Sequence, residues 1–368
     1  MEFVGITIFG GVNITPPPPP PNPSLYSWGR NYRGSLGLGD TIDRSSPNQV
    51  GSLTNWYKVA CGDYGVNAIK TDGTLWGWGG YVYGNTGNPG ELGDVHLSSP
   101  VQVGALTNWA TIAKGDNNSL AIKTNGTLWA WGNNSYGRLG LNNTTQYSSP
   151  KQVGALTNWS SVSTTNYHTV AIKTDGTLWS WGRNNTGALG LGNTTDYYSP
   201  KQVGGGTTWS AVTAFALTNS GSTRAIKTDG TMWSWGRNIY GTLGLDDITN
   251  RSDPTQVGNL TNWASISGQT AIKTNGTMWA WGYNGNGDLG LGDITHRSSP
   301  VQIGALTTWS KISGSSSIKT DGTLWTWGYN ATGQLGLSNT TYYSSPKQVG
   351  SKTSWTDVFK GIAVFAIG

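Results

Sequence analysis

Every tryptophan in this chain belongs to a repeat. Seven times the sequence reaches a doublet in which two aromatic residues flank one small residue and a glycine follows. The doublets end at Trp28, Trp78, Trp131, Trp181, Trp235, Trp281 and Trp327. A single tryptophan follows each of them: Trp56, Trp109, Trp159, Trp209, Trp263, Trp309 and Trp355. Doublets and singles together use all 20 tryptophans, so the largest side chains are spent wholly on periodicity. Self-similarity at a period of about 50 residues marks a stacked or circular repeat, and it overrides the two or three separate domains that length alone would suggest.

Four extended segments recur in each unit. In one unit these are a short segment at Pro150, Lys151, Gln152 and Val153, a second from Trp159, a third ending Ala171, Ile172, Lys173, and a fourth through Leu178 and Trp181. Between the third and fourth stands Asp175-Gly176, matched by Asp72-Gly73, Asn125-Gly126, Asp229-Gly230, Asn275-Gly276 and Asp321-Gly322. Asp-Gly or Asn-Gly between alternating apolar runs signals a hairpin, here expected as a type I′ turn with positive φ at both central residues. Side chains alternate along a strand, so both aromatics of a doublet project from one face of their sheet. Four antiparallel strands repeated seven times predict an all-β, seven-bladed β-propeller. The first unit starts at the fourth strand, Leu25 to Trp28, and the last stops after its third, near Ile367. Pairing of the N-terminal and C-terminal strands would close the ring and remove exposed sheet edges.

The units also share Trp-Gly-x-Asn-x-x-Gly-x-Leu-Gly in six copies and a Ser-Pro or Asp-Pro ahead of each short segment. With these marks residues 25–368 resemble the RCC1 repeat family, whose known members are seven-bladed propellers. The unit after Trp78 departs from the pattern between Gly79 and Gly93, and His168 alone stands where family members often place a histidine before the third strand.

Spacing localises the irregularities. The doublet-to-single separation is 28 residues in six units and 31 from Trp78 to Trp109. From the single tryptophan to the isoleucine of the third strand it is 13 in three units, 17 from Trp209 to Ile226, and 9 at both Trp263–Ile272 and Trp309–Ile318. Both variable connections emerge on one side of the disc, because antiparallel strands alternate direction. Rigid scaffolds carry function on such loops, so Tyr81, Tyr83, Tyr167, His168, Phe215, Leu217 and Arg224 are the expected contacts of a binding face. On the regular side Lys70, Lys123, Lys173, Lys227, Lys273 and Lys319 repeat just before the hairpin, a partial basic ring suited to an anionic partner or simply to solubility.

Residues 1–24 lie outside the repeat. Phe3, Val4, Ile6, Ile8 and Phe9 form an alternating apolar segment within residues 1–15, read as an anchor strand that adds to a partner's sheet or self-associates. Six prolines at 16–21 make the 16–24 stretch a stiff spacer. This front end resembles the N-termini of virion structural proteins of tailed, especially marine, phages. That resemblance implies a capsid decoration or fibre-like subunit on the particle surface, held to other virion proteins and presenting its propeller to a host protein or glycan.

No catalytic constellation is apparent. His96, His168 and His296 fall in different units without metal-ligand spacing, Cys61 is the lone cysteine, and the glycine-rich stretches lack the helix and lysine of a phosphate loop. No enzyme, metal or cofactor is therefore expected. Charged residues are 11% of the chain, against about 25% ordinarily, and the net charge of +5 is dispersed, so nucleic acid is not an expected partner. No stretch is long enough to span a membrane as a helix. Two rival expectations remain: a soluble inhibitor or host-directed binder, as one RCC1-like class inhibits β-lactamases, and the family's exchange activity on a small GTPase.

Overall fold

The structure, a computed structural model, describes residues 23–80, 82–87, 96–218 and 220–368. The proposed anchor and most of the spacer, with Phe3, Val4, Ile6, Ile8 and Phe9, lie outside the described residues, as do Tyr81 and the side chain of Leu217. The described chain forms seven four-stranded antiparallel sheets. Blades 1 to 6 span residues 56–102, 109–152, 159–202, 209–256, 263–302 and 309–348. Blade 7 joins Asp357–Lys360 and Ala363–Ile367 to Ser24–Gly29 and Arg44–Thr54. The strand of each blade that begins at or just after the single tryptophan touches its counterparts in both neighbouring blades all the way round. These strands form the hub, and the Ser-Pro strands form the rim.

The expected closure is present, with Leu25 opposite Ile367, Ser27 opposite Phe365 and Gly29 opposite Ala363. It is built two plus two, not one plus three. The short segment grouped with Trp159 by sequence pairs instead with the preceding doublet strand: Lys151 faces Ala130 and Gln152 faces Trp129. The reason is local. The connection after each doublet doubles back on its own blade, and Val153 N–H then donates to Leu128 O at 2.8 Å, tying the rim strand down before the chain crosses to the next blade.

The hairpin also differs from the expected type. Gly73 has φ +77, but none of the turn aspartates or asparagines is left-handed. Gly73 N–H donates to Lys70 O at 2.9 Å, so the turn is a three-residue loop with one left-handed glycine. The aspartate is otherwise engaged. Asp72 Oδ1 accepts from Thr74 N–H at 2.9 Å and from Thr74 Oγ1 at 2.6 Å, while Thr74 Oγ1 accepts from the Trp76 indole at 2.9 Å. The same network recurs at Asp175, Thr177 and Trp179.

Packing follows from the tryptophans. Trp159 meets Trp179 and Trp181 edge-on at 6.1 and 6.0 Å, a favoured geometry for paired rings. The second tryptophan of each doublet is fully buried. Its indole reaches the preceding blade: Trp181 N–H donates to Arg138 O at 2.9 Å and Trp281 N–H to Thr242 O at 3.1 Å. The left-handed glycine of the Leu-Gly pair lies against that ring, so a β-carbon on Gly244 would fall 2.7 Å from Trp281 Nε1. The small residue inside the doublet lets the neighbouring connection approach, and Ser180 Oγ donates to Leu189 O at 2.7 Å.

Candidate functional site

Two kinds of connection share one side of the disc: the hub loops between the first and second strands, and the long connections between the doublet and rim strands. Six of the long connections, those of blades 2 to 7, are each organised by a buried asparagine. Asn184 Oδ1 accepts from Leu189 N–H at 2.9 Å, and its Nδ2 donates to Asn193 O at 2.9 Å. Asn31, Asn134, Asn238, Asn284 and Asn330 repeat both contacts at the same sequence offsets. The residue nine positions on then closes the loop in one of two ways. Asp40, Asp247 and Asp293 pair with Arg44, Arg251 and Arg297 at 2.5–2.6 Å. Asn143, Asn193 and Asn339 instead donate to the hydroxyls of Tyr147, Tyr197 and Tyr343 at 3.3–3.4 Å. A glycine in each connection presses on the next blade's rim strand: a β-carbon on Gly187 would lie 2.5 Å from Ser252 Cα.

The cations are sorted by connection. Eight of the nine arginines (Arg30, Arg33, Arg44, Arg138, Arg183, Arg237, Arg251 and Arg297) stand in these long connections or open the rim strand beyond them, and none of the 14 lysines does. Tyrosines accompany them, with Tyr32 at 62%, Tyr136 at 38% and Tyr342 at 43% exposure. Arg183 lies 4.7 Å from the Tyr136 ring centre and 5.6 Å from that of Tyr167; Arg33 bridges Tyr32 and Tyr64 at 5.5 and 5.1 Å. Burial pushes the Arg138 guanidinium down to about 10, with Tyr136, Tyr167 and Asp116 opposing. Beneath this surface Asp63 N–H donates to Asp116 Oδ1 at 3.2 Å and Asn166 donates to the same carboxylate. Burial raises the Asp116 carboxyl, and Asp63 adds to the rise. The hub loops of blades 1, 2 and 3 are thereby stitched together.

Of the expected loop contacts, Tyr83 is exposed and Tyr167 half-buried. His168, Phe215 and Arg224 are interior, a correction to their reading as loop-tip contacts. His168 is flanked by Thr165 Oγ1 at 3.2 Å and Thr223 Oγ1 at 2.9 Å, and burial pushes its imidazole down to about 3. The four extra residues of blade 4 lengthen the hairpin of strands Trp209–Thr218 and Ser220–Lys227, with Phe215 turned inward. Arg224 sits over Trp281 at 4.8 Å and donates to Thr242 O, and burial pushes it down to about 9. The same register holds apolar Leu120, Val170 and Phe365 in blades 2, 3 and 7 and polar Asn67, Thr270 and Ser316 in blades 1, 5 and 6; Phe365 packs on Trp78 of the next blade as Arg224 packs on Trp281.

The basic ring exists as geometry, but its cations are sandwiched between aromatic rings. Lys123 Nζ lies 3.6 Å from the Trp129 ring centre and 4.8 Å from that of Trp109; Lys70, Lys173, Lys227, Lys273 and Lys319 repeat the arrangement. A seventh cation, missed in the sequence because it comes from another segment, completes the set. Lys352 lies 4.3 Å from Tyr26 and 4.7 Å from Trp355 in blade 7. These ammoniums act first as wedges between rings, a role that needs no ligand. Among the described residues no group of three or more His, Cys, Asp or Glu is placed to hold a metal ion. Among the described residues no helix is long and apolar enough to cross a membrane.

The sequence of residues 22–317 matches the family model described as RCC1-like domain, and residues 321–362 match the regulator of chromosome condensation (RCC1) repeat. Among curated proteins, E3 ubiquitin-protein ligase HERC2 of Homo sapiens is 33% identical over 126 residues, covering 32% of this chain and 2% of that protein. Ultraviolet-B receptor UVR8 of Arabidopsis thaliana is 35% identical over 121 residues, covering 32% of this chain and 27% of the receptor. The matched segment is thus a small part of each relative. Among solved structures, human WBSCR16 superposes with a TM-score of 0.81 at 20% identity over 95% of this chain and 99% of that one. Yeast RCC1 (Prp20), solved bound to Kap60, gives 0.82 at 16% identity over 95% and 89%. At those identities the likeness is one of fold.

Proposed function

The chain belongs to the RCC1-like domain family, and from that premise we propose that it is a non-catalytic binding propeller whose loop face docks a macromolecular partner. The observation that carries this reading is the sorting of cations. Arginine and tyrosine are among the residues enriched in protein-binding hot spots, and here they gather in the long connections, which hold no lysine. The long connections of blades 2 to 7 are pinned by their buried asparagines, so little ordering entropy is lost when a partner lands on them. Yeast RCC1 (Prp20), which shares this fold, has been solved bound to the protein Kap60.

The finer reading is a virion accessory protein, attached to other virion proteins through residues 1–15 and displaying the propeller from a phage particle. Its support is the sequence of the front end, an alternating apolar segment on a proline spacer. Cross-linking mass spectrometry with the full chain tests the docking face. Links should concentrate in residues 30–44, 133–147 and 183–197, and the Arg183→Glu, Tyr167→Ala double variant should lose them; links confined to the hairpin side would overturn the assignment. Particle attachment has its own test. The chain should appear in the mass spectrum of purified particles and vanish when residues 1–22 are deleted.

A further inference from the structure

Asn-Gly occurs four times in the chain, at residues 125–126, 275–276, 284–285 and 286–287. In the hairpins of blades 2 and 5, Asn125 and Asn275 hold the place that aspartate holds in blades 1, 3, 4 and 6. Asn-Gly is the pair most disposed to lose its amide, because glycine has no side chain to hinder attack of its backbone nitrogen on the carboxamide carbon.

The fold adds what the dipeptide lacks. Asn125 Oδ1 accepts from Thr127 N–H at 3.2 Å and from Thr127 Oγ1 at 2.7 Å, and Thr127 Oγ1 in turn accepts from the Trp129 indole at 2.9 Å. Asn275, Thr277 and Trp279 repeat the relay at 3.1, 2.8 and 3.0 Å. The bond to the N–H two residues on folds the carboxamide forward along the turn. Two donors on one carbonyl oxygen draw electrons from its carbon and would hold the oxyanion that attack creates. The indole behind the hydroxyl strengthens that donor. Asn125 and Asn275 are exposed while Thr127 and Thr277 are buried, so water and hydroxide reach an amide whose partners are fixed.

The other two pairs, in the long connection of blade 5, are held differently. Asn284 is buried, its Oδ1 accepts Leu289 N–H at 2.9 Å, and its Nδ2 donates to Asp293 O at 3.0 Å. That amide is engaged with the far arm of its connection. Asn286 donates to the Asp288 carboxylate at 3.2 Å, a negative charge that opposes an oxyanion beside it.

We propose that Asn125 and Asn275 are modification sites, where the hairpin itself promotes loss of the amide and converts blades 2 and 5 to the aspartate turn of the other four. The Gly126 nitrogen, once hydroxide has taken its proton, bonds to Asn125 Cγ. The Cγ–Nδ2 bond breaks, ammonia leaves with a proton from water, and a five-membered imide results. Water then opens the imide at one of its two carbonyls, giving aspartate or isoaspartate. Gly126 N–H donates to Lys123 O at 2.9 Å, so its proton is removed against that bond and conversion quickens with pH. The turn also selects the product. At Asp72, Asp175, Asp229 and Asp321, hydrogen bonds from the threonine two residues on hold the carboxyl below its ordinary range, so this turn favours the anion. Isoaspartate lengthens the main chain by one carbon and cannot keep the same register. Conversion at both sites lowers the net charge of +5 by two, on the hairpin side and away from the loop face.

The test incubates the full chain at pH 7 and pH 9, folded and in urea, and reads each site by peptide mass spectrometry with isoaspartate methyltransferase labelling. In the folded chain Asn125 and Asn275 should convert at least about threefold faster than Asn284 and Asn286, and faster still at pH 9, with the ranking lost in urea. The share of aspartate over isoaspartate should be higher in the folded chain than in urea. Thr127→Val, which keeps the shape and removes the hydroxyl, should slow Asn125 at least about threefold. Asn275 in the same molecule should keep its rate, as the control for folding. Asn125→Asp should hold or raise the melting temperature. Equal rates at all four pairs in the folded chain, or undiminished conversion of Asn125 in Thr127→Val, overturns the proposal; a melting temperature lowered by Asn125→Asp overturns its account of the product.

Discussion

Leu25 stands opposite Ile367 in one antiparallel ladder, so residues 342 positions apart in the chain are neighbours in blade 7. Both are buried, as are Val364, Phe365 and Ala366 between them. Each large apolar side chain that leaves the core costs about 1.5–3 kcal/mol. Deleting residues 363–368 should therefore remove more than about 5 kcal/mol and break the single cooperative transition. Urea unfolding followed by tryptophan fluorescence reads this directly; an unchanged midpoint would mean that closure contributes nothing.

Gly244 and Gly258 are both left-handed, at φ +73 and +59, but only Gly244 faces an obstacle. A β-carbon there would meet Trp281 Nε1 at 2.7 Å, whereas nothing lies within 4 Å of Gly258. Gly258→Ala should cost about 1 kcal/mol, the price of the backbone alone. Gly244→Ala should cost at least about 2 kcal/mol more, because the ring cannot retreat without losing its bond to Thr242 O. Parallel denaturation curves decide between them.

His168 makes folding sensitive to acid. Burial depresses its folded value from 6.5 to about 3, so below pH 6.5 the unfolded chain binds a proton that the folded chain refuses. Stability is thus full above pH 6.5 and falls by about 1.4 kcal/mol per unit as pH drops toward 3. Comparing pH 7 with pH 5 isolates this contribution from most carboxylates. In His168→Gln the loss over that interval should shrink by more than half; an identical loss would refute the assignment.

Lys360 has the same sign in an alkaline window. It is buried between blades 6 and 7, donating to Ser315 Oγ at 2.5 Å, and burial pushes it down to about 8 from 10.5. The unfolded chain holds its proton between those values and the folded chain does not, so stability rises with pH from about 8 to 10.5. Lys58, Lys123, Lys173, Lys273 and Lys319 are also lowered by burial and share the sign. The informative quantity is therefore the difference from Lys360→Met. That variant should show a flatter alkaline rise and little loss at pH 7, since an apolar side chain can replace a buried charge at low cost.

The propeller, its sheet count and its closing pair were legible because large side chains recurred at fixed spacing and the strand at Leu25 lacked its own partner. The blade boundary was not. The connection after each doublet is longer than the link to the next single tryptophan, and only the bond from Val153 to Leu128 shows which strand the rim segment joins. The candidate site was read from loop lengths, which led to Phe215 and Arg224, an insertion that folds inward. Composition at constant length was the better guide. The position after Trp-Gly reads Arg30, Gly80, Asn133, Arg183, Arg237, Tyr283 and Tyr329, and that variation is visible in the letters. The left-handed backbone at Tyr83, Tyr136 and Tyr240, with φ of +68, +64 and +62, is not legible there, because Thr186 fills the same slot without it.

The connection that begins in one blade and presses its glycine on the serine of the next has a consequence for inheritance as well as for stability. A unit cut out along its own strands would leave behind the surface it was shaped to cover and expose the tongue meant for its neighbour. Such a ring cannot be edited one sector at a time. Copies can be gained or lost only where the incoming tongue already fits its new host, and near-identity among the seven is what keeps every such junction interchangeable.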